Sequence, residues 1–153
     1  MTQQLPSSAT TLIVEAHFPH ASAQEVFDYW TQPALLQTWW PQEAEIEPQD
    51  GGKYHLSWPA MNWHLRGRYT CFEPGKRLAF TWRWDHDEEG TRDRIVSLLF
   101  EAEHGNGTRL QLTHGPYVET PEDQNVRLVH HLAGWLHFLP RLQNCISAHY
   151  TEH

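Results

Sequence analysis

Twelve histidines and eight tryptophans among 153 residues are where chemistry could reside. Histidine serves as a general acid–base without tuning, because its ordinary pKa lies near neutrality. His114 ends an alternating run and shares a side with Leu110 and Leu112, which makes it the best acid–base candidate. His131 stands four residues before Trp135 in a stretch of helical spacing and shares its face. His64 alternates with Trp63 and points the other way. A hydrogen-bonded structural histidine fits each of these positions equally well, so the spacing supports at most one catalytic group. His149 and His153 are four apart but have no third ligand, and Asp85, Asp87 and Glu89 alternate without a calcium-loop pattern. No metal site is expected. Cys71 and Cys145 stand alone, there is no GxSxG, and neither Gly51-Gly52 nor Gly105-Asn106-Gly107 leads a strand into a helix, so no cofactor is expected either.

The aromatic residues are better organised. Leu78, Phe80, Trp82 and Trp84 fall on one face of an alternating run, as do Trp63, Leu65, Gly67 and Tyr69, and Tyr54, Leu56 and Trp58. Should these faces turn inward against Trp135, they enclose a space suited to a flat or greasy molecule, with indole N–H groups as fixed donors. A solid aromatic core is the plainer alternative. Trp39-Trp40 are adjacent, so one packs inward while the other borders the opening. Most of arginines 66, 68, 83, 92 and 94 oppose the aromatic faces, where surface ion pairing is expected.

The elements that position these groups are legible from periodicity. Thr11–Phe18 reads as a strand, and Ser22 with Glu25 forms a capping box before a short helix through Trp30. Pro33 opens a second short helix, which Pro41 stops. The period then becomes two, with strands at Ala44–Glu47, Lys53–Trp58, Trp63–Phe72, Arg77–Asp85, Arg92–Glu103 and Thr108–His114. Short glycine- and proline-containing turns separate them, which predicts antiparallel hairpins. Pro121 opens a long helix whose apolar stripe is Leu128, Leu132, Trp135, Leu139, Leu142 and Ile146, with Pro140 expected to kink or break it. The class is α+β, with an antiparallel sheet of about six or seven strands covered by a long C-terminal helix. Residues 1–153 are expected to form one domain, with 1–10 as a flexible tail.

Composition narrows the partners. Eleven basic against 19 acidic residues give a formal charge of −8, which argues against nucleic acid and anionic membranes. No apolar run approaches bilayer length, and the polar start lacks a secretory signal, so a reducing cytoplasm is the expected setting.

Several short motifs occur in a characteristic order: Trp39-Trp40, Gly51-Gly52-Lys53-Tyr54, Gly67-Arg68-Tyr69 and Glu73-Pro74-Gly75-Lys76-Arg77-Leu78, then Phe80-Thr81-Trp82, Gly107-Thr108-Arg109-Leu110, Leu112-Thr113-His114 and Gly134-Trp135. Over roughly Thr11 to Leu142 the chain resembles the activator of heat-shock protein 90 ATPase homologue family of the START-like (SRPBCC) superfamily. The resemblance implies a helix-grip fold, a curved sheet wrapped round the last helix with an internal cavity. Pro140 departs from the continuous helix usual there. It also implies ligand binding, a cyclase or hydrolase, or chaperone assistance, because the fold hosts several functions.

Binding of one small hydrophobic or aromatic molecule is the favoured expectation, with a wall drawn from Trp39, Tyr54, Trp63, Tyr69, Phe80, Trp82, Trp84, Leu112, His114, His131 and Trp135. Catalysis through His114 and a chaperone contact are the alternatives. An exposed sheet edge or the tryptophan pair offers a route to a homodimer.

Overall fold

Alternation and turn chemistry build one antiparallel sheet, which a computed structural model describes for residues 2–6, 8–87 and 92–151, with side chains through residue 148. The strands are β1 (Thr2–Gln4), β2 (Leu12–Phe18), β3 (Glu43–Ile46), β4 (Lys53–Trp58), β5 (Trp63–Glu73), β6 (Arg77–Trp84), β7 (Arg94–Glu103) and β8 (Gly107–Gly115). They lie in the order β1-β2-β8-β7-β6-β5-β4-β3, with neighbours antiparallel. Six or seven were expected. The eighth is β1, which pairs Thr2 with Ala16 and Gln4 with Val14, so part of the expected tail is an edge strand.

Between β2 and β3 the chain forms α1 (Ala23–Thr31) and α2 (Pro33–Leu36). The Ser22 hydroxyl accepts from the Glu25 N–H at 3.1 Å, as the capping box predicts, and Val26, Phe27 and Trp30 are buried beneath α1. Curvature has a local cause in β5, where the register shifts between Tyr69 and Cys71; such a bulge bends its strand. Gly67 lets the neighbouring chains close in. A Cβ there would overlap the Thr81 carbonyl and stand 2.6 Å from the Tyr54 ring.

The concave side holds the C-terminal helix, which begins as α3 (Pro121–Asn125) and ends as α4 (Ala133–Thr151). The Thr120 hydroxyl caps it, and Arg94 of β7 anchors its start through Asp123 at 2.6 Å and the Pro116 carbonyl at 2.7 Å. Two expectations about this helix need correction. The helix is not broken at Pro140, which stands inside α4, and a departure from α-helical turns lies earlier, in a π-helical stretch at Val126–Leu132. There the wider i→i+5 turns change the helical phase. Leu128, expected on the buried stripe, is therefore 42% exposed, while His131 is buried. Trp135, Leu139, Leu142 and Ile146 do face the core. Among the described residues, no helix is long and apolar enough to cross a membrane.

Candidate functional site

Between the end of the sheet and the first turns of α4 is a cavity of about 530 Å³. Alternation on β4, β5 and β6 brings Trp58, Trp63, Trp82 and Trp84 to its wall. The helix contributes His131, Gly134, Trp135, Phe138 and Arg141, a second stripe beside the core-facing one. The segment after α2 supplies Gln37, Trp40, Pro41 and Gln42. Met61, in the 3-10 turn Pro59–Met61, together with His86 and His130 completes the rim.

Six of the eight tryptophans line this space, and their rings form a continuous network. Trp40 stacks on Trp82 with centroids 5.8 Å apart and planes at 19°, and it meets Trp135 at 5.2 Å and Trp58 at 6.1 Å. Trp84 then joins Trp58 at 5.5 Å, Trp82 at 5.7 Å and Trp63 at 6.0 Å. The floor (Trp40, Trp58, Trp82 and Trp135) is buried, whereas Trp63, 44% exposed, stands at the opening. Polar side chains gather at the rim: Gln37, Gln42, His86, His130 and Arg141 are all exposed.

Of the expected wall, Trp63, Trp82, Trp84, His131 and Trp135 reach the cavity. Trp39 does not. Its indole N–H donates to the Tyr29 carbonyl at 2.9 Å, which holds it beneath α1 and leaves Trp40 to face the space. Tyr54, Tyr69 and Phe80 share the correct sheet face but lie further along it. There they pack on one another at 5.3–6.3 Å as solid core, and the Tyr54 hydroxyl donates to the Thr81 carbonyl. Leu112 is fully buried where β8 pairs with β2 and β7.

His114 lies one layer behind the wall. It is fully buried among Trp82, His131, Tyr117 and Trp135, and its ring stacks on His131 at 4.3 Å with planes 10° apart. Trp135 Nε1–H donates to His114 Nδ1 at 3.0 Å, so the neutral ring carries its proton on Nε2. That Nε2 has no hydrogen-bond partner. Burial, then the His131 and Arg94 charges, hold the His114 pKa well below the ordinary value. Burial likewise brings His131 down to about 3, and its Nδ1 lies 2.7 Å from the Tyr117 hydroxyl. Both rings are therefore neutral near pH 7.

Sequence reasoning missed Phe138, Gly134 and Arg141, although their offsets of 3, 4 and 7 from His131 and Gly134 put them on one helical face. His64 points away as expected, with its Nδ1 2.8 Å from His55 Nε2 on the outer surface. Two of the opposing arginines pair at the surface as expected, Arg66 with Asp85 at 2.9 Å and Arg83 with Asp93 at 3.0 Å. Asp87 accepts from the Trp84 N–H at 2.9 Å, whereas Glu89 and the His149–His153 pair lie outside the described residues. Among the described residues, no three His, Cys, Asp or Glu side chains are placed to hold a metal ion.

Comparison with known proteins agrees with this architecture. A mouse protein, the activator of 90 kDa heat shock protein ATPase homolog 1, is 26% identical over 106 residues, which are 69% of this chain and 29% of that one. The chain thus spans under a third of that relative's length. A structure from Mesorhizobium loti superposes with a TM-score of 0.78 at 21% identity, over 90% of this chain and 97% of the other. DynU16, from the dynemicin biosynthetic locus, gives a TM-score of 0.75 at 19% identity, over 93% of this chain and 48% of its own. At such identities the structural likeness establishes the fold. Residues 20–147 match the profile described as "Activator of Hsp90 ATPase homolog 1-like protein", and the chain belongs to that family.

Proposed function

We propose that this domain binds one small hydrophobic or aromatic molecule in the tryptophan-lined cavity. The observation that carries the reading is the six-indole wall around about 530 Å³ of space, within the range of small-molecule sites. An apolar floor whose polar side chains, His131 apart, stand at the rim supports a binding site over a catalytic one. Acid–base catalysis needs two or more polar groups converging inside, and the buried histidine nearest the floor, His131, is neutral and already bonded. DynU16, named for a biosynthetic locus, shares the fold and is compatible with a small-molecule role.

Native mass spectrometry of freshly purified protein, followed by a tryptophan-fluorescence titration with 2-naphthol, tests this. Co-purified mass or saturable quenching is expected. Absence of both overturns the reading. The family match favours a second reading, contact with a 90 kDa heat-shock protein, for which a pull-down and an ATPase assay are decisive.

A further inference from the structure

The cavity's charge is opposite to that of the chain. The protein has 19 acidic residues against 11 Lys and Arg, yet among the described residues the 16 that line the cavity include no Asp or Glu. Among the described residues of the lining, Arg141 is the one Lys, Arg, Asp or Glu. Arginines 66, 83, 94 and 109 each lie within ion-pairing reach of a carboxylate. Arg141 has none among the described residues; its guanidinium carbon lies 5.6 Å from the centre of the Phe138 ring, itself part of the wall. Helical side chains lean toward the N-terminus, so Arg141 leans back along α4 toward Phe138 and the cavity. It lies six residues beyond Trp135, which puts its Cα about 9 Å further along the helix axis, at the end of a ring bound against Trp135.

We propose that the occupant is a planar aromatic anion, its rings against the indoles and its carboxylate held by Arg141 at the mouth. The rim amides of Gln37 and Gln42 can add neutral donors, and among the described residues no carboxylate lines the cavity. A guanidinium fork is suited to a carboxylate, and its attraction survives at a half-wet rim better than a lone neutral hydrogen bond. A cationic aromatic would meet Arg141 without a counter-charge and is disfavoured.

This inference rests on the cavity being a ligand site, and the experiment separates the two. Isothermal titration is performed with 2-naphthoate and with its uncharged isostere 2-naphthamide, on wild-type protein and on Arg141→Gln. Wild type is expected to bind the acid about tenfold more tightly than the amide. Arg141→Gln is expected to weaken the acid about tenfold more than the amide, which erases that preference; Arg141 is exposed, and the thermal midpoint checks that the variant folds. Equal affinities in wild type, or a preference that survives in Arg141→Gln, overturn the anion proposal and leave the cavity reading standing. If neither probe binds wild type up to its solubility limit, both fail.

Discussion

Gly134 allows the cavity to be filled without disturbing the core. It sits in the first turn of α4 on the cavity wall, and a Cβ built there has nothing within 4 Å. Its φ is not in the left-handed region, so side chains are tolerated. Glycine inside a helix costs about 1 kcal/mol relative to alanine, so Gly134→Ala should stabilise the protein by up to that amount. For a chain of this length that corresponds to a rise in Tm of about 2–4 °C. Gly134→Phe should also fold, but its ring occupies the ligand's space. Burying one aromatic ring contributes about 2–3 kcal/mol, so displacing a ligand ring weakens 2-naphthamide binding about 30- to 150-fold. Thermal melts and isothermal titration measure the two effects. A Tm several degrees lower in Gly134→Ala would mean that the space is filled in solution. Unchanged affinity in Gly134→Phe would mean that the ligand binds elsewhere, and the reasoning would be refuted.

Three further outcomes are expected. His131 has a folded pKa of about 3 against roughly 6.5 unfolded, and His114 shifts in the same direction, so the unfolded chain binds more protons between those values. Stability is therefore complete above about pH 6.5 and falls with acidification, by about 1.4 kcal/mol per pH unit for His131. Urea midpoints at pH 6.5 and 5 should show this slope, reduced in His131→Gln; a flat wild-type profile contradicts it. Gly67→Ala forces a methyl into the Thr81 carbonyl and the Tyr54 ring, and should lower stability by about 1–3 kcal/mol, read from the urea midpoint. Trp135→Phe leaves His114 Nδ1 buried without its donor and should destabilise by about 1–3 kcal/mol, while a neutral melt would show that the bond contributes nothing.

The sheet was legible because its signals are local. Alternation and turn residues located the strands to within about two residues, and Ser22 and Pro121 mark where helices begin. The edge strand β1 was not legible, because Thr2-Gln-Gln4 is polar and pairs only because β2 offers a free edge. The π-helical stretch also leaves no period in the sequence, and it turns Leu128 out of the buried stripe. For the site, alternation gave the correct sheet face but not how far along it the cavity extends. Trp82 and Trp84 line the space, whereas Phe80, two residues earlier on the same face, is solid core. The choice between Trp39 and Trp40 depended on a carbonyl ten residues away, at Tyr29, which no local pattern encodes. His114 had the right side of its strand and the wrong depth.

The most direct test of the aromatic cavity as a ligand site is an NMR titration that follows the indole N–H signals of the eight tryptophans with 2-naphthoate and 2-naphthamide. Saturable shifts are expected in Trp40, Trp58, Trp63, Trp82, Trp84 and Trp135, with Trp30 and Trp39 moving least because neither lines the cavity. Shifts confined to Trp63 at the surface, or no saturable shift with either compound, would contradict it.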